Sequence, residues 1–353
     1  MVRHILMLGP GREVKGGISS VVNVYLNSNL INKYRIVYIS TQVDGSKLWK
    51  LIQFIISIVF FFYQMSFSRN EIIHIHSASR SSFYRKSFFV LFSKLFRKKV
   101  ILHIHGAEFK VFYHKESGLL MKWFVRRIMN LSDEIIALSF NWKKDLEKIV
   151  SFGKEIKVLP NPVSVPGYKR DYKDSNPIKI LFMGRLGERK GVYDLIKVAE
   201  GIDLKHNNIK FILCGDGDIE KVRRMVNTMG IDQYFEIPGW TQDKVTFFKK
   251  ADIYVLPSYN EGMPMSILEA ASYGLPIIST PVGGIGEVIE DGVNGFLVNP
   301  GDIEALKEKI LLLVNSVELR TRMGKEALRI VKEKFEVNKI VEQLNNIYQE
   351  ILN

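Results

Sequence analysis

The feature that most constrains the fold is an alternation of short apolar, β-branched runs with amphipathic helical patterns, which occurs twice along the 353 residues. Glycines, prolines and small polar residues punctuate the joins, as expected for buried strands. The first series comprises Ile5–Leu8, Arg35–Ser40, Ile72–His76, Val100–His105, Glu134–Ser139 and Ile156–Pro160. The second comprises Ile178–Met183, Phe211–Cys214, Tyr234–Pro238, Ile253–Pro257, Pro276–Ser279 and Gly295–Val298. This alternation predicts parallel sheets with helices on both faces.

Two such series predict two domains, since the chain is too long for one ordinary core. The polar segment Tyr168–Pro177 is typical of a linker. We therefore expect an α/β protein with two doubly wound, Rossmann-like domains at 1–165 and 166–336, and a helix at 337–353 that packs back on the first domain. Open α/β sheets bind ligands at the carboxyl ends of their strands, so we expect the site in a cleft where the two sheets face each other.

The excess positive charge lies entirely in the first domain. Residues 1–165 contain 25 Lys+Arg and 10 Asp+Glu, whereas residues 166–353 contain 25 and 27. This asymmetry predicts an anionic partner for the first domain: nucleic acid, an acidic membrane surface or a phosphorylated substrate. The single cysteine, Cys214, excludes a disulfide within the chain and fits a reducing compartment. Without a signal-peptide pattern at the start, we expect a cytoplasmic location.

An uncharged segment of 18 residues, Leu51–Ser68, reaches the lower limit for a membrane span. Spanning would place the first strand across the bilayer from all later strands, so we expect a helix packed on the sheet, with contact to the membrane interface left open. The next helical segment, 83–96, interleaves aromatic residues with basic ones. The basic residues in and beside it are Arg80, Arg85, Lys86, Lys94, Arg97, Lys98 and Lys99. This pattern predicts reversible docking on the inner face of the cell membrane through anionic lipid.

The strongest site signal is EGMPMSILEA, which begins at Glu261 and follows the predicted strand Ile253–Pro257. Pro264 suits the first turn of a helix, so Glu261 would precede the helix and Glu269 would lie within it. The helix N-terminus between the two acids suits a diphosphate. A nucleoside diphosphate sugar has matching chemistry, with hydroxyls at both ends and phosphates between. Taken alone, a capped surface helix with incidental acids explains these residues equally well.

Several motifs together resemble the family 4 retaining glycosyltransferases of the GT-B fold. Glu261 and Glu269 are followed by AASYGLPIISTPVGGIGEVIEDGVNGFLV, which matches the family's C-terminal pattern. The other similar segments, in the expected order, are GPGREVKGGISS near the start, VLPNPV at Val158–Val163, FMGRLGERKG at Phe182–Gly191, FILCGDGD at Phe211–Asp218 and ADIYVLPS at Ala251–Ser258. The resemblance covers nearly the whole chain.

The resemblance implies a role for each matching position. Glu269 would bind ribose hydroxyls, and Glu261 would bind hydroxyls of the transferred sugar. Arg185 and Lys190 would neutralise the diphosphate leaving group without a metal, by an arginine fork and a lysine point charge. His105 would hydrogen-bond near the transferred sugar. The remaining donor-binding positions that it implies are Gly16, Gly17, Gly215, Trp240, Gly262, Met263 and Pro264.

Three other features of the sequence have a different possible interpretation: a dinucleotide site, a zinc site and an Asp-x-Asp metal site. The loop at 9–20 lacks the G-x-G-x-x-G spacing of a dinucleotide site. Five histidines lie between 74 and 114, yet two i, i+2 pairs on strands place each pair on one face and do not surround a point, so we expect no zinc site. His74 and His103 are expected in the core or directly behind the groups that contact a ligand. The histidines are His74, His76, His103, His105 and His114. Asp216 and Asp218 resemble an Asp-x-Asp metal motif, but they fit the family's glycine turn.

We therefore expect a metal-independent, retaining glycosyltransferase without a cofactor. It would move a sugar from a UDP- or GDP-sugar to a hydroxyl of a glycan or lipid-linked acceptor, forming an α-linkage. The first domain would bind the acceptor and the second the donor. Two alternatives stay open: a nucleotide-sugar epimerase or hydrolase of similar architecture, and a basic nucleic-acid-binding protein. The second lacks any aromatic-basic RNA-binding motif or helix-turn-helix signal, so we expect no nucleic acid partner.

Overall fold

The computed structural model describes residues 3–151, 153–172 and 175–353. The chain divides into two compact units, unit 1 with Met1–Pro162 and Phe335–Asn353, and unit 2 with Val163–Lys334. Of the linker predicted from the sequence, Lys173 and Asp174 lie outside the described residues.

Unit 1 is built on a six-stranded parallel sheet with the order β2-β1-β3-β4-β5-β6. Its strands are β1 Arg3–Gly9, β2 Tyr34–Ser40, β3 Asn70–Ser77, β4 Lys99–Ile104, β5 Glu134–Ala137 and β6 Ile156–Val158. Its helices before unit 2 are α1 Gly17–Leu26, α2 Leu30–Lys33, α3 Lys47–Phe67, α4 Ser81–Leu95, α5 Phe109–Val111, α6 Leu119–Leu131 and α7 Phe140–Glu147. All six runs of the first series are therefore strands, as predicted.

Unit 2 repeats this design with a parallel sheet of order β12-β11-β10-β7-β8-β9. Its strands are β7 Ile178–Met183, β8 Ile209–Cys214, β9 Phe235–Gly239, β10 Ile253–Leu256, β11 Ile277–Ser279 and β12 Gly295–Leu297. Its helices are α8 Val192–Glu200, α9 Ile219–Thr228, α10 Lys244–Lys250, α11 Met265–Ser272, α12 Ile285–Val288, α13 Ile303–Val314 and α14 Val317–Lys334. The second predicted series is also confirmed, with strand ends that differ by a few residues at most.

The last helix, α15 Val337–Leu352, belongs to unit 1. Its Tyr348 hydroxyl lies 2.7 Å from His74 Nδ1, a buried atom of the sheet. Nearby, Tyr34 Oη donates to Asn345 Oδ1 over 2.8 Å. A C-terminal helix thus covers one face of the first sheet and satisfies one of its buried polar groups.

The apolar helix α3 packs on the sheet, as predicted from its sequence. It connects β2 and β3, the two strands that flank β1, and it buries Phe61 and Met65 in the core. In the described part of the chain it is the one helix long and apolar enough to cross a membrane by length and composition. Its other face is exposed, with Trp49 at 63% and Phe67 at 77% of full exposure.

Helix α4 differs in part from its predicted amphipathic pattern. Phe83, Phe89 and Val90 are core residues, and Lys86, expected on a basic surface, is fully buried and donates to Thr41 Oγ1. Burial lowers the pKa of Lys86 to about 7. Helical periodicity accounts for this burial, because Lys86 lies on the same face of α4 as Phe83 and Phe89.

Candidate functional site

Some of the predicted donor residues of unit 2 lie together at the carboxyl end of β10. After Leu256 the chain forms a largely buried loop that carries Glu261 and ends at Pro264, the residue that precedes α11. Gly283 makes this loop possible, since its φ is +60° and a Cβ there would lie 2.0 Å from the carbonyl oxygen of Glu261. The next amide, of Gly284, donates to the Gly262 carbonyl over 2.6 Å. Two strand-end loops thus hold each other through backbone contacts.

Two predicted residues, Lys190 and Glu261, form a largely buried ion pair. Glu261 is only 6% exposed, and its Oε1 accepts from Lys190 Nζ and, over 2.9 Å, from Ser258 Oγ. Its Oε2 lies 3.8 Å from Arg189 Nη1. The carboxylate is therefore fixed by charge-assisted hydrogen bonds before any ligand arrives.

Glu269 has a partner of its own, Lys244 at the start of α10. Lys244 Nζ lies 2.8 Å from Glu269 Oε1 and 3.1 Å from Oε2. Both side chains are partly exposed, so this pair has access to solvent and to a ligand. The two conspicuous acids of the sequence motif are each held by a different lysine, at the two ends of one short segment.

Arg185 lies apart from this pair and points towards solvent. It is 68% exposed and reaches Asp216 Oδ2 at 3.5 Å, a contact at the outer limit of a hydrogen bond. The neighbouring turn is close-packed, since a Cβ on Gly215 would lie 1.8 Å from the Gly184 carbonyl oxygen. This turn can therefore pack against Gly184 only because residue 215 is glycine.

The other predicted residues of this sheet edge follow β8 and β9, and some of them already have hydrogen-bond partners within the protein. Tyr193 Oη donates to Asp218 Oδ2 over 2.6 Å, and burial together with this carboxylate raises the pKa of Tyr193 to about 12. Among the described residues, Asp216 and Asp218 are not part of a group of three or more close metal ligands. Trp240 follows β9 and is 41% exposed, and Gly239 next to it accepts from the Gly215 amide over 2.9 Å.

In unit 1, Gly16 and Gly17 lie where the sequence places them, at the N-terminus of α1. Gly16 precedes the helix and Gly17 is its first residue. Both are exposed, and a Cβ on either would meet nothing within 4 Å. The loop backbone is therefore open to a ligand at the carboxyl edge of the first sheet.

The histidines of β3 and β4 form one cluster, which differs from the expectation of separate pairs. His76 Nδ1 lies 2.9 Å from His105 Nε2, and His74 Nε2 lies 3.3 Å from His103 Nδ1. The strands are neighbours in the sheet and both pairs point to the same face, so side chains from the two strands meet. Ligand atoms of His74, His76 and His103 lie within 4.8 Å of one another, closer than the sequence argument allowed. His114 is exposed and lies in the segment after β4.

Burial keeps all four clustered imidazoles neutral. It lowers the pKa of His74 and His105 to about 3 and that of His76 and His103 well below its usual value. His74 and His103 are core residues, as predicted. His105 is the exception in position, because it follows the end of β4 and is partly exposed.

Sequence reasoning missed Lys244, Ser258, Arg189 and Gly283. Lys244 lies outside the quoted motifs, and Ser258 ends the segment ADIYVLPS without a role that the motif assigns. Only the fold brings these two residues to Glu269 and Glu261. Gly283 lies in the GG of the segment that resembles the family, and its glycine pair was a usable signal of a close backbone approach.

Comparison with known proteins agrees with this arrangement. The family described as Glycosyltransferase Family 4 matches residues 31–165, and that described as Glycosyl transferases group 1 matches residues 169–329. An uncharacterized glycosyltransferase of Methanocaldococcus jannaschii is 30% identical over 213 residues, 59% of this chain and 51% of that protein. N-acetyl-alpha-D-glucosaminyl L-malate synthase of Bacillus anthracis is 29% identical over 231 residues, 63% of this chain and 60% of that protein.

The matched part of the chain spans from about half to under two thirds of the length of these curated relatives. Among solved structures, Anabaena HepE in complex with UDP-glucose is 18% identical, with a TM-score of 0.76 over 98% of this chain and 99% of that one. This likeness shows the fold, the two-domain α/β architecture called GT-B. Because the two family matches together extend over residues 31–165 and 169–329, the chain belongs to the family 4 glycosyltransferases.

Proposed function

We propose that this chain is a retaining glycosyltransferase that moves a sugar from a nucleoside diphosphate sugar to a hydroxyl of a glycan acceptor and forms an α-glycosidic bond. Family membership favours transfer over the epimerase or hydrolase and nucleic-acid alternatives that the residues left open. The single observation that carries the proposal is the buried Lys190–Glu261 pair at the carboxyl end of β10. A fixed carboxylate beside a fixed ammonium suits a ligand that has sugar hydroxyls next to phosphates.

The donor contacts follow from this pair. Glu261 Oε1 is already bonded to Lys190 and Ser258, so we assign Oε2 to the hydroxyls of the transferred sugar. Lys190 and the solvent-facing Arg185 are assigned to the diphosphate, where negative charge grows as the glycosidic bond breaks. Glu269 is assigned to the ribose. When the ribose hydroxyls bind, they would share the carboxylate oxygens of Glu269 with Lys244 or replace one of its two contacts.

The donor is a UDP- or GDP-sugar. The UDP-glucose bound to the structurally similar HepE supports the nucleotide-sugar class, and the arrangement of Lys190 and Arg185 supports charge neutralisation without a metal. The acceptor is assigned to unit 1. Its open loop at Gly16 and Gly17, which we assign to the donor phosphates and the acceptor, and its partly exposed His105 lie at the carboxyl edge of the sheet.

The acceptor is further proposed to be lipid-linked, with unit 1 bound peripherally to the inner face of the cell membrane. The exposed apolar face of α3 supports this, as does α6, whose Leu119 is 88% and whose Trp123 is 62% exposed. Basic residues stand beside these apolar ones, including Lys50 and Lys122. Apolar side chains entering the interface next to cations are typical of reversible binding to anionic lipid.

The test is a product assay with a panel of UDP- and GDP-sugars, with and without lipid-linked or simple glycan acceptors. We expect acceptor-dependent release of the nucleoside diphosphate, an α-anomeric product by NMR, and activity that survives EDTA. Glu261→Gln is the matched inactive control. Free or epimerised sugar without acceptor would replace the proposal with an epimerase or hydrolase. Loss with EDTA and rescue by Mn²⁺ would assign a metal to Asp216 and Asp218.

A further inference from the structure

Four histidines of unit 1 form two hydrogen-bonded pairs, which we call the histidine ladder: His76 with His105 and His74 with His103. In one pair, His76 Nδ1 and His105 Nε2 are 2.9 Å apart. In the other, His74 Nε2 and His103 Nδ1 are 3.3 Å apart, and His74 Nδ1 continues to Tyr348 Oη at 2.7 Å. Neutral imidazole has one N–H and one lone pair, so within each pair one ring must donate and the other must accept.

Two ring nitrogens of this ladder decide the direction. His76 Nε2 and His103 Nε2 are buried and have no hydrogen-bond partner among the described residues. If either nitrogen carried the proton, it would be an orphaned buried N–H, which is rare in proteins and costs about 1–3 kcal/mol. If both rings carry their proton on Nδ1, the two buried Nε2 atoms have only lone pairs, and each pair gains a donor.

The contact of the second pair with Tyr348 is compatible with this choice. With His103 donating from Nδ1, His74 accepts at Nε2 and carries its own proton on Nδ1. That N–H then faces the hydroxyl oxygen of Tyr348, which can accept it. Both pairs therefore run in the same sense, from an unpartnered Nε2 to a ring protonated on Nδ1: that of His74, which faces Tyr348 Oη, and that of His105.

We propose that His76 is a positioning residue that donates from Nδ1 to His105 Nε2 and so fixes His105 in the tautomer with its proton on Nδ1. His105 then presents an N–H from its partly exposed ring, ready to donate to an oxygen of the transferred sugar or the departing phosphate. The consequence for transfer rests on the proposed function, but the tautomer does not. Neutrality of all four rings, caused by burial, keeps this arrangement intact at physiological pH.

The direct test is ¹⁵N NMR of the full chain labelled at histidine, near pH 7.5, with the His105 signals assigned by their loss in His105→Gln. We expect wild-type His105 to be protonated at Nδ1. His76→Asn keeps an amide N–H at the place of Nδ1 and should preserve this tautomer. His76→Leu removes the donor and should shift His105 towards Nε2 protonation. His74→Leu is the matched control, since it removes a buried imidazole of the ladder that has no hydrogen bond to His105.

Kinetics add a second readout. His76→Leu should lower kcat about tenfold with little change in the donor KM, less than the hundredfold or more for loss of a preorganised donor itself. His76→Asn should restore most of kcat. Wild-type His105 protonated at Nε2 would overturn the proposal, as would a folded His76→Leu variant with an unchanged tautomer. If the tautomer is as expected and no sugar transfer occurs, the proposed function fails and the role of His76 in setting the tautomer stands.

Discussion

Unit 2 holds its candidate site residues with ion pairs, whereas unit 1 holds its own with hydrogen bonds between neutral groups. In unit 2, Lys190 pairs with Glu261 and Lys244 with Glu269. In unit 1, His74 bonds to His103 and His76 bonds to His105. Both sets lie at or close to the carboxyl edges of similar parallel sheets, so the fold alone does not choose between them.

The difference teaches how each set can respond to a ligand. A lysine–carboxylate pair can exchange one partner for a phosphate or a hydroxyl, since charged groups on the ligand replace those that it displaces. Neutral imidazole pairs avoid the desolvation cost of buried charge. Of the four rings, however, only His105 is exposed enough to contact a ligand. Unit 2 is thus arranged to exchange partners, and unit 1 to present one fixed group.

The largest expected effect is on the pH dependence of unit 1. Folding lowers the pKa values of its four histidines, so below pH 6.5 the unfolded chain binds more protons than the folded chain. The free energy of unfolding therefore decreases as the pH is lowered. Each histidine contributes a loss of up to about 1.4 kcal/mol per pH unit as pH falls from 6.5 towards 3. Urea unfolding at pH 7.5, 6.5 and 5.5 measures this. The window lies above ordinary carboxyl pKa values. Lys86, whose pKa burial lowers to about 7, titrates in its upper part, so the slope between pH 6.5 and 5.5 is the one that reports the histidines.

His103→Leu provides the matched variant for that series, because it removes one of the four titrating groups and should make the pH dependence shallower. An unfolding free energy that stays level between pH 7.5 and 5.5 would contradict the neutral ladder.

The next largest effect is expected at the buried pair of unit 2. Lys190→Ala should reduce turnover about a hundredfold to a thousandfold, because it removes a preorganised charge aimed at the leaving group. Arg189→Ala is the matched control: its Nη1 lies 3.8 Å from the same carboxylate and it is 40% exposed, so its effect should be under tenfold. Steady-state kinetics decide. Equal losses in both variants would show that the short ion pair has no special role.

A smaller effect is expected at the more exposed pair. Glu269→Ala should weaken nucleoside diphosphate binding by about 1.5–3 kcal/mol, since ribose hydroxyls lose a charged acceptor. Lys244→Met should weaken it less, because the carboxylate itself remains. Calorimetry with UDP and GDP measures both. Unchanged affinity in Glu269→Ala would remove the ribose assignment.

The smallest effect is expected on membrane binding, which should depend on the basic surface of unit 1 and not on that of unit 2. Single substitutions of Arg97, Lys98 or Lys99 by glutamate should each weaken binding to anionic liposomes by about 1 kcal/mol. Lys205→Glu, on the exposed surface of unit 2, is the control and should have no effect. Co-sedimentation at several salt concentrations gives the answer. Equally poor binding to neutral and anionic liposomes would end the membrane proposal and leave the transferase proposal intact.

The sequence by itself determined the two parallel sheets and the position of the donor motif. Apolar runs such as Ile5–Leu8 and Ile178–Met183 are local, and buried parallel strands are recognisable from composition alone. The motif from Glu261 to Glu269 is also contiguous, so its place after a strand and at the start of a helix could be derived without knowing any long-range contact.

Tertiary structure alone decided which side chains meet across elements. Lys244 and Glu269 are 25 residues apart, His76 and His105 are 29 apart, and Tyr348 reaches His74 from 274 residues away. Hydrophobic periodicity fixes the face on which a residue lies but not the neighbour that this face meets. Lys86 shows the same limit, since its burial depends on Thr41 and on the sheet beneath α4. Strand order and helix placement supply those neighbours, and they follow from packing of the whole unit.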